Sequence, residues 1–323
     1  MKHALVALGN ALRELGYRFT TVTPETHARV NSRPGSAVAK DLRDVFGWSR
    51  PFETGLLPAE LVALMNAAEV CERMPNSQLW RATVRFSSIG EVLFAHSAFP
   101  TSEADAVFFG PDSVRFVHAL QTLAPLAKRV VDVGCGCGVG GIMLRKRDAG
   151  FEQEVVLADI NERALDFARV NAALAGVSME VVQSDVLSGV RGEIDLVIAN
   201  PPYLVDDSKR TYRDGGGTHG EAIAARITLE SLHRLAENPH GGTLLLYTGS
   251  AIVAGTDSFF EAVRRPLAAS GVRFSYQELD PDVFSTELAC SSYADAERIA
   301  VVLLQAQVAP RPGPARGADL SES

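Results

Sequence analysis

The feature that most restricts the fold is a hydrophobic run that leads directly into a glycine-rich loop. The segment reads Val130-Val131-Asp132-Val133-Gly134-Cys135-Gly136-Cys137-Gly138-Val139-Gly140-Gly141. Such a loop after a buried strand brings the backbone close to a ligand, because glycine has no Cβ and adopts conformations closed to other residues. Further along the chain, short runs of valine, isoleucine and leucine alternate with helical patterns. This alternation predicts an α/β fold with a doubly wound, mostly parallel sheet and helices on both faces.

The strands of this sheet can be placed from their apolar runs. We expect them at 129–133, 154–159, 179–183, 194–199, 243–247, 272–278 and 298–304, with the last strand completing the edge of the sheet. The sheet domain is expected to cover residues 101–307. The remaining residues, 308–323, are rich in proline and glycine, and we expect them to form a disordered tail.

The first hundred residues follow a different pattern. Leucines at helical spacing predict a helix from Lys2 to Gly16, and two more helices are expected at 36–46 and 58–72. Two runs typical of strands, 82–86 and 91–95, flank a turn at 87–90 and predict a hairpin. Residues 1–100 therefore outline a small N-terminal helical, winged-helix-like domain, which we expect to shape a substrate entrance as a lid.

Composition excludes several classes of protein. The formal net charge of −8 argues against a protein that coats DNA by charge alone, although the first hundred residues are slightly basic. No apolar run is long enough for a membrane span, and four cysteines suit a reducing cytoplasm. Cys135 and Cys137 have no cluster of other cysteines or histidines nearby in the sequence, so we expect no metal site.

The glycine loop allows two interpretations of its ligand. The spacing of a dinucleotide-binding loop is met from Gly136, with Gly138 and Gly141, but not from Gly134. Asp132 separates the two interpretations, because a carboxylate at this strand end repels a pyrophosphate and attracts the ammonium group of an amino acid. The loop therefore favours an aminoacyl nucleoside without phosphates.

Acidic residues at the ends of the next two strands fit the same ligand. Asp159, followed by Ile160, stands where ribose hydroxyls are bound in such folds, and its alternative role is to cap the next helix. Asp185 is a candidate acceptor for an adenine amino group, with Val186 as a backbone donor. The alternative for Asp185 is an ordinary turn carboxylate.

An acid followed by alternate glycines, at Asp132, Gly134, Gly136 and Gly138, resembles the first motif of the class I S-adenosylmethionine-dependent methyltransferases. The resemblance covers about residues 110 to 305. It implies an enzyme with a Rossmann-like fold and with S-adenosylmethionine as its cofactor.

The fourth strand delivers Asn200-Pro201-Pro202-Tyr203 to the same edge of the sheet as the glycine loop. Because proline lacks an N–H group, the backbone carbonyls of Asn200 and Pro201 stay available as acceptors. Together with the Asn200 side chain they suit both hydrogens of a planar NH2 group, while Tyr203 stacks on the acceptor. The alternative interpretation is a proline-rich strand terminator.

This tetrapeptide resembles that of the amino-methylating methyltransferases, which include release-factor glutamine methyltransferases and ribosomal RNA guanine and adenine N-methyltransferases. The resemblance implies that Asn200 and Pro201 orient the acceptor nitrogen, that Tyr203 packs against it, and that Asn200 also contacts the cofactor. The first hundred residues match no motif of these enzymes, so a protein glutamine, a nucleobase or a small-molecule amine all stay open as the acceptor.

Two other functions use parts of the same sequence. In an S-adenosylmethionine cyclase the amine of the cofactor itself attacks, which gives azetidine-2-carboxylate and methylthioadenosine. A non-catalytic RNA-binding protein is disfavoured by the acidic core.

Two segments near the site also keep two interpretations each. The first contains Arg213, Asp214 and His219 and is either a lid that closes over the substrate or a solvent loop. The second contains Phe108 and Phe109 and either flanks the cofactor or fills the core.

Overall fold

A computed structural model describes residues 1–310. The predicted disordered tail begins inside the last strand, which continues to Val308, and residues 311–323 lie outside the described part. The elements in chain order are α1 (Lys2–Glu14), α2 (Pro24–Asn31), α3 (Leu42–Phe46), α4 (Ala59–Ala67), β1 (Cys71–Arg73), β2 (Trp80–Ala82), β3 (Val84–Ile89), β4 (Val92–Ser97), α5 (Pro111–Leu123), β5 (Arg129–Val133), α6 (Val139–Arg147), β6 (Glu154–Asp159), α7 (Glu162–Ala175), β7 (Glu180–Gln183), β8 (Leu196–Ala199), α8 (Ala222–Glu237), β9 (Gly242–Val253), β10 (Thr256–Asp257), α9 (Ser258–Ala269), β11 (Arg273–Asp280) and β12 (Ala296–Val308).

The central sheet is mostly parallel, as predicted. Its strands lie in the order β11-β12-β9-β8-β5-β6-β7, and β5, β6, β7, β8 and β9 run parallel to their neighbours in that series. The chain proceeds from β5 outward to β7 and then crosses back to β8, on the other side of β5. This reversal opens a crevice at the carboxyl ends of β5 and β8, where ligands bind in open α/β sheets.

The prediction that the last strand forms the sheet edge was wrong. β12 pairs antiparallel with β9 on one side and with β11 on the other, so β11 is the edge strand. The burial of the two strands gives the reason. Residues 299–304 of β12 are buried on both faces, whereas most side chains of β11 are exposed and suit the solvent side of an edge.

The N-terminal part differs in detail from its prediction. The first helix is confirmed as α1, which buries Leu5, Leu8 and Leu12. The helix expected at 36–46 forms only as α3, because the Asp41 side chain accepts a hydrogen bond from the Asp44 N–H and starts the helix there. The helix α2 was missed. Thr23 and a proline start it, but only His27 is buried along it, so the segment lacks an apolar period.

The predicted hairpin is present with a tighter turn. β3 and β4 pair until Ile89 meets Val92, so the turn is Gly90-Glu91 and the two serines of the predicted turn lie in the strand. Asn171 of α7 fastens the hairpin to the sheet domain. Its buried side chain accepts from the Ala95 N–H at 2.7 Å and donates to the carbonyls of Ala95 and Cys137, both at 2.9 Å. One side chain thus links β4 to the glycine loop.

Candidate active site

A cavity of about 620 Å³ lies at the carboxyl ends of β5, β6 and β8. It brings together nearly all of the site residues predicted from the sequence. Those that line it are Asp132, Gly134, Gly136, Asp159, Ile160, Asp185, Val186, Asn200, Pro201 and Tyr203.

Gly138 is the predicted residue that the structure does not place among the lining residues. Its φ is 82°, and a Cβ there would lie 3.0 Å from side-chain carbons of Ile142 and Leu157. This glycine therefore lets the loop pack closely against the sheet and the start of α6. Gly134 and Gly136 differ, because a Cβ on either would meet nothing within 4 Å. The open side of these two glycines lies along the cavity wall and leaves room for a ligand against the backbone.

Asp132 lies beneath the loop and is only 1 % exposed. Its Oδ2 accepts a hydrogen bond of 2.7 Å from the Gly141 N–H, so the carboxyl also fixes the first turn of α6. Burial raises the pKa of Asp132 to about 7, and the nearby Asp159 adds to the effect while the Gly141 N–H opposes it. A cationic ligand in the cavity would favour the ionised form.

Asp159 meets the requirements of a ribose-binding carboxylate. Its two oxygens accept from the N–H groups of Asn161 and Gly136, each at 2.8 Å, and each oxygen retains a further lone pair. The cap of α7 is Asn161, whose side chain accepts from the Arg163 N–H, so the alternative role of Asp159 as that cap is excluded. Ile160 presents an apolar side chain, 54 % exposed, on the lining of the same cavity.

Asp185 fits its alternative role better. Its carboxylate forms two hydrogen bonds with Arg226 of α8, at 2.8 and 2.9 Å, on the exposed side of the turn. An adenine amino group would have to compete with that ion pair. Val186 follows with φ 50°, a left-handed conformation that turns the backbone along the cavity.

The Asn200 side chain is free to bind a ligand. Within residues 1–310 it has no hydrogen-bond partner, although it follows directly after β8 and lines the cavity. Two prolines follow it, so this backbone offers acceptors without the donors that would compete for them. The side chain and the adjoining carbonyls therefore suit the two hydrogens of a planar amino group.

Tyr203 is held firmly, which the sequence did not indicate. It is 7 % exposed, and its phenol donates a hydrogen bond to Asp112 on the first turn of α5. The same carboxylate accepts from the Tyr247 phenol at 3.1 Å and pairs with Arg115 at 2.9 Å. A Cβ on Gly249 would lie 2.2 Å from the Tyr203 ring, so this glycine lets the ring pack on the strand backbone. No local pattern could reveal Asp112, which lies 91 residues before its partner.

The segment 204–214, called the strap below, closes the outer side of the cavity. The Thr211 N–H donates to the Ala104 carbonyl at 2.9 Å, and the Tyr212 phenol donates to the Thr101 carbonyl at 3.0 Å. The Tyr212 ring stacks on Phe108 with a centroid distance of 5.5 Å and an interplanar angle of 13°. Sequence reasoning missed this contact because it joins two loops that are far apart in the chain.

Two segments kept two interpretations each in the sequence analysis. In each of them, some residues line the cavity and others do not. Phe108 lines the cavity, whereas Phe109 is buried in the core and stacks on His96. Arg213 and Asp214 line the cavity, whereas His219 does not and instead pairs with Asp295 at 3.0 Å.

The basic side chains of the strap are neutralised by acids. Lys209 pairs with Asp214 at 3.1 Å, Arg210 pairs with Asp206, and Arg213 pairs with Glu287 at 2.5 Å. The hydrogen bonds from Arg210 hold the pKa of Asp206 at about 2. The outer half of the cavity therefore combines aromatic rings with a locally balanced charge.

The sheet order, together with the glycine loop at its reversal point, is that of the class I methyltransferase fold. Residues 112–215 match the family model described as the methyltransferase small domain. The predicted fold class is confirmed, and the family match agrees with the predicted enzyme class and cofactor. No helix within residues 1–310 has the length and apolar character that crossing a membrane requires.

Relatives of known name match the same region. A release factor glutamine methyltransferase of Deinococcus radiodurans is 37% identical over 113 residues, which are 34% of this chain and 40% of that protein. A ribosomal RNA small subunit methyltransferase C of Haemophilus influenzae is 38% identical over 88 residues, 27% of this chain and 26% of that protein. The chain thus spans less than half the length of these curated relatives.

A solved structure shows the same fold over a longer stretch. The wild-type Trm5b structure from Pyrococcus abyssi has a TM-score of 0.50 and 15% sequence identity, and the match covers 74% of this chain and 62% of that one. At this identity the likeness shows the fold alone.

Proposed function

We propose that this protein is an N-methyltransferase that transfers a methyl group from S-adenosylmethionine to the nitrogen of a planar amide or exocyclic amine. The observation that carries the proposal is the Asn200 side chain, which has no partner within residues 1–310 and stands at the cavity between two prolines and a strand end. The acceptor is a protein glutamine, a nucleobase or a small molecule with the same NH2 geometry.

The residues of the cavity fit the cofactor. Asp132 offers a carboxylate to an ammonium group, Asp159 offers lone pairs to ribose hydroxyls, and the open side of Gly134 and Gly136 leaves room for a ligand against the backbone. When bound, S-adenosylmethionine supplies a methyl group on a positively charged sulfur.

The chain's own residues act mainly by positioning. Asn200 and Pro201 accept the two hydrogens of the acceptor NH2 group and so fix the direction of its nitrogen lone pair. Tyr203, held by Asp112, presents a fixed ring against the acceptor plane. No general base is needed before attack, because the methyl donor is cationic and the proton leaves the nitrogen afterwards.

The charge balance of the strap supports a neutral acceptor group. Each basic side chain of the strap that lines the cavity has an acidic partner, so an anionic group at this position would meet no free cation of the strap. Aromatic rings from Phe108 and Tyr212 offer flat apolar surface instead. Amides and nucleobases combine a flat shape with a neutral NH2 group.

The test is an analysis of nucleoside products. The purified full chain is incubated with S-adenosylmethionine, alone and with protein or nucleic-acid fractions of a cell extract, and products are quantified by mass spectrometry. We expect S-adenosylhomocysteine only when an acceptor fraction is present. Methylthioadenosine formed from the cofactor alone would contradict methyl transfer and would establish the cyclase.

The Asn200→Ala variant tests the residue that carries the proposal. We expect turnover to fall at least about 100-fold, the order of effect seen when an orienting hydrogen bond to a reacting group is removed. Cofactor affinity, measured by calorimetry, should change much less. Asn10→Ala, in helix α1, is the matched control and should leave turnover unchanged. Full turnover in Asn200→Ala would refute the assignment.

A further inference from the structure

Two buried basic side chains of the N-terminal part, Arg85 and His27, have nitrogen atoms without hydrogen-bond partners within residues 1–310. Arg85 on β3 is 5 % exposed, and its Nε and Nη2 are buried without a hydrogen bond. His27 on α2 is 3 % exposed, and neither Nδ1 nor Nε2 makes a hydrogen bond of good geometry to the described residues, although the ring faces the Trp48 backbone. Buried polar groups are nearly always hydrogen-bonded, so two such side chains in one region require an explanation.

The surroundings of Arg85 supply no negative charge. Its guanidinium lies over the ring of Phe19, 5.4 Å from the centroid, and within residues 1–310 no carboxylate forms an ion pair with it. Asp44, the buried acid of this part of the chain, is already paired with Arg50 at 2.6 Å. His96, the cross-strand neighbour of Arg85, is occupied by hydrogen bonds with Ser87 and with the Ser97 carbonyl.

Arg85 carries a buried positive charge without a counter-ion in the described part of the chain, whereas His27 is neutral at neutral pH. Burial lowers the pKa of Arg85 to about 10, and burial together with the charge of Arg85 lowers the pKa of His27 to about 4. A buried charge is normally compensated by a partner of opposite sign, because leaving it uncompensated is strongly unfavourable.

The two unpartnered nitrogens of Arg85 have a specific geometry. In a guanidinium, Nε and Nη2 share one edge, and their N–H groups point in parallel toward two oxygens of a single carboxylate or phosphate. An edge of this kind, buried and without a partner, fits a ligand with two adjacent oxygen acceptors. His27 adds a ring nitrogen as a further donor.

We infer that Arg85 and His27 form a binding site for a small oxyanion, a carboxylate or an inorganic oxyanion, within the N-terminal part of the protein. Its walls are apolar, because the His27 ring lies 4.2 Å from the Phe99 ring and 5.6 Å from the Trp48 ring. The site is separate from the methyl-transfer residues, and it stands whether or not the proposed function is correct.

The proposed oxyanion site adjoins a wall of the active-site cavity. Phe99, which stacks on His27, lines that cavity, and so does Pro24 at the start of the same helix α2. An oxyanion bound between Arg85 and His27 would therefore fix the position of Phe99 in the cavity wall. The anion is either free in solution or a carboxylate carried by the acceptor itself.

The test uses the full chain and inorganic phosphate and formate as probes. Each anion replaces chloride at constant ionic strength, and the melting temperature is followed. We expect a rise of roughly 3–6 °C at about 100 times the dissociation constant, because a ligand that binds only the folded state stabilises it. Arg85→Met should abolish the rise, whereas Arg29→Met, an exposed position on α2, should keep it.

A fluorescence titration provides a second measurement that does not depend on how Arg85→Met folds. The chain has two tryptophans, so Trp80→Phe leaves Trp48, next to His27, as the single reporter. Its emission should change and saturate at the same anion concentration, and adding His27→Phe should raise that concentration several-fold. Unchanged melting temperature and unchanged emission with both probes would overturn the inference.

Enzyme kinetics then identifies the source of the anion. If the acceptor carries the carboxylate, formate competes with it and raises the acceptor KM in proportion to the formate concentration. If the anion is free, formate leaves the acceptor KM unchanged or lowers it. Once saturable anion binding has been measured, either kinetic result supports the site. Anion binding of equal strength by Arg85→Met would refute it.

Discussion

At the scale of single residues, the proposed acceptor site depends on Asp112, which holds Tyr203 through its phenol. Asp112 accepts hydrogen bonds from both Tyr203 and Tyr247, and it is buried with them. Tyr203 is therefore fixed from behind through its phenol, and only its ring is left to meet a ligand. The aromatic residue of the tetrapeptide acts as part of a buried polar network.

Replacing Asp112 tests this positioning role. In Asp112→Asn the side-chain amide no longer accepts from both phenols, so the Tyr203 ring gains freedom. We expect kcat to fall roughly tenfold, which corresponds to about 1.4 kcal/mol of transition-state stabilisation, while cofactor affinity stays the same. Asp166→Asn, at a half-buried surface position that pairs with Lys2 and Arg169 outside the cavity, is the control. A folded Asp112→Asn variant with unchanged kcat would show that the network is only structural.

Asp132 predicts a pH dependence of cofactor binding. Its pKa of about 7 in the folded protein lies above the usual value, so the carboxyl is mostly protonated at pH 6 and mostly ionised at pH 8. The cofactor ammonium favours the ionised form. Affinity should therefore rise with pH from 5.5 to 7.5, by up to about tenfold per unit below the pKa.

Calorimetry with S-adenosylhomocysteine measures this dependence directly. Asp132→Asn keeps an oxygen for the Gly141 N–H but carries no charge, so its affinity should be weaker and almost independent of pH. An equal slope in the variant would assign the pH dependence to another group.

At the scale of elements, the strap controls access to the cavity. It is held to the segment before α5 by hydrogen bonds from Arg210, Thr211 and Tyr212 to Thr101 and Ala104, and by the stack of Tyr212 on Phe108. Tyr212→Ala removes the phenol bond and the ring stack together. We expect trypsin to cleave after Lys209 or Arg210 several-fold faster, because local opening then requires less free energy. Phe274→Ala, an exposed aromatic residue on β11, should leave the rate unchanged.

Asn171 of α7 couples the hairpin to the cofactor loop. Asn171→Leu leaves the N–H and carbonyl of Ala95 and the Cys137 carbonyl without their partner. We expect the free energy of unfolding to fall by about 2–4 kcal/mol in urea denaturation, together with weaker cofactor binding. Asn66→Ala, at an exposed position, is the control. A loss below about 0.5 kcal/mol would contradict the coupling.

The elements also show which parts of the fold could be predicted. The central parallel strands are buried on both faces, so continuous apolar runs marked β5, β6 and β8 in the sequence, whereas β7 at the edge is not buried. The place of β12 was missed because strand order depends on pairing between segments some 50 residues apart and leaves no local pattern. Residues at strand ends, such as Asn200, were predictable because parallel strands deliver their carboxyl ends to one edge. By contrast, the roles of Asp112 and Tyr212 depend on contacts between distant parts of the chain, so they could not be predicted from the sequence.

At the scale of the whole molecule, the N-terminal part completes the cavity that the sheet domain begins. Pro24 and Phe99 stand in the lining with the glycine loop and the strap, and Asn171 ties the hairpin to that loop. Acceptor and cofactor would thus rest between two parts of the chain with different sequence patterns. The matched family model covers residues of the sheet side only, which is why the choice of acceptor is to be sought in the first hundred residues.

The most direct test of the account is to locate the transferred methyl group. The protein is incubated with S-adenosylmethionine that carries a trideuterated methyl group and with acceptor fractions of a cell extract, and the labelled product is fragmented by mass spectrometry. We expect the label on the nitrogen of an amide or of a nucleobase or small-molecule amine, and none in reactions with Asn200→Ala. A label on carbon or oxygen, or methylthioadenosine without any labelled acceptor, would contradict the central claim.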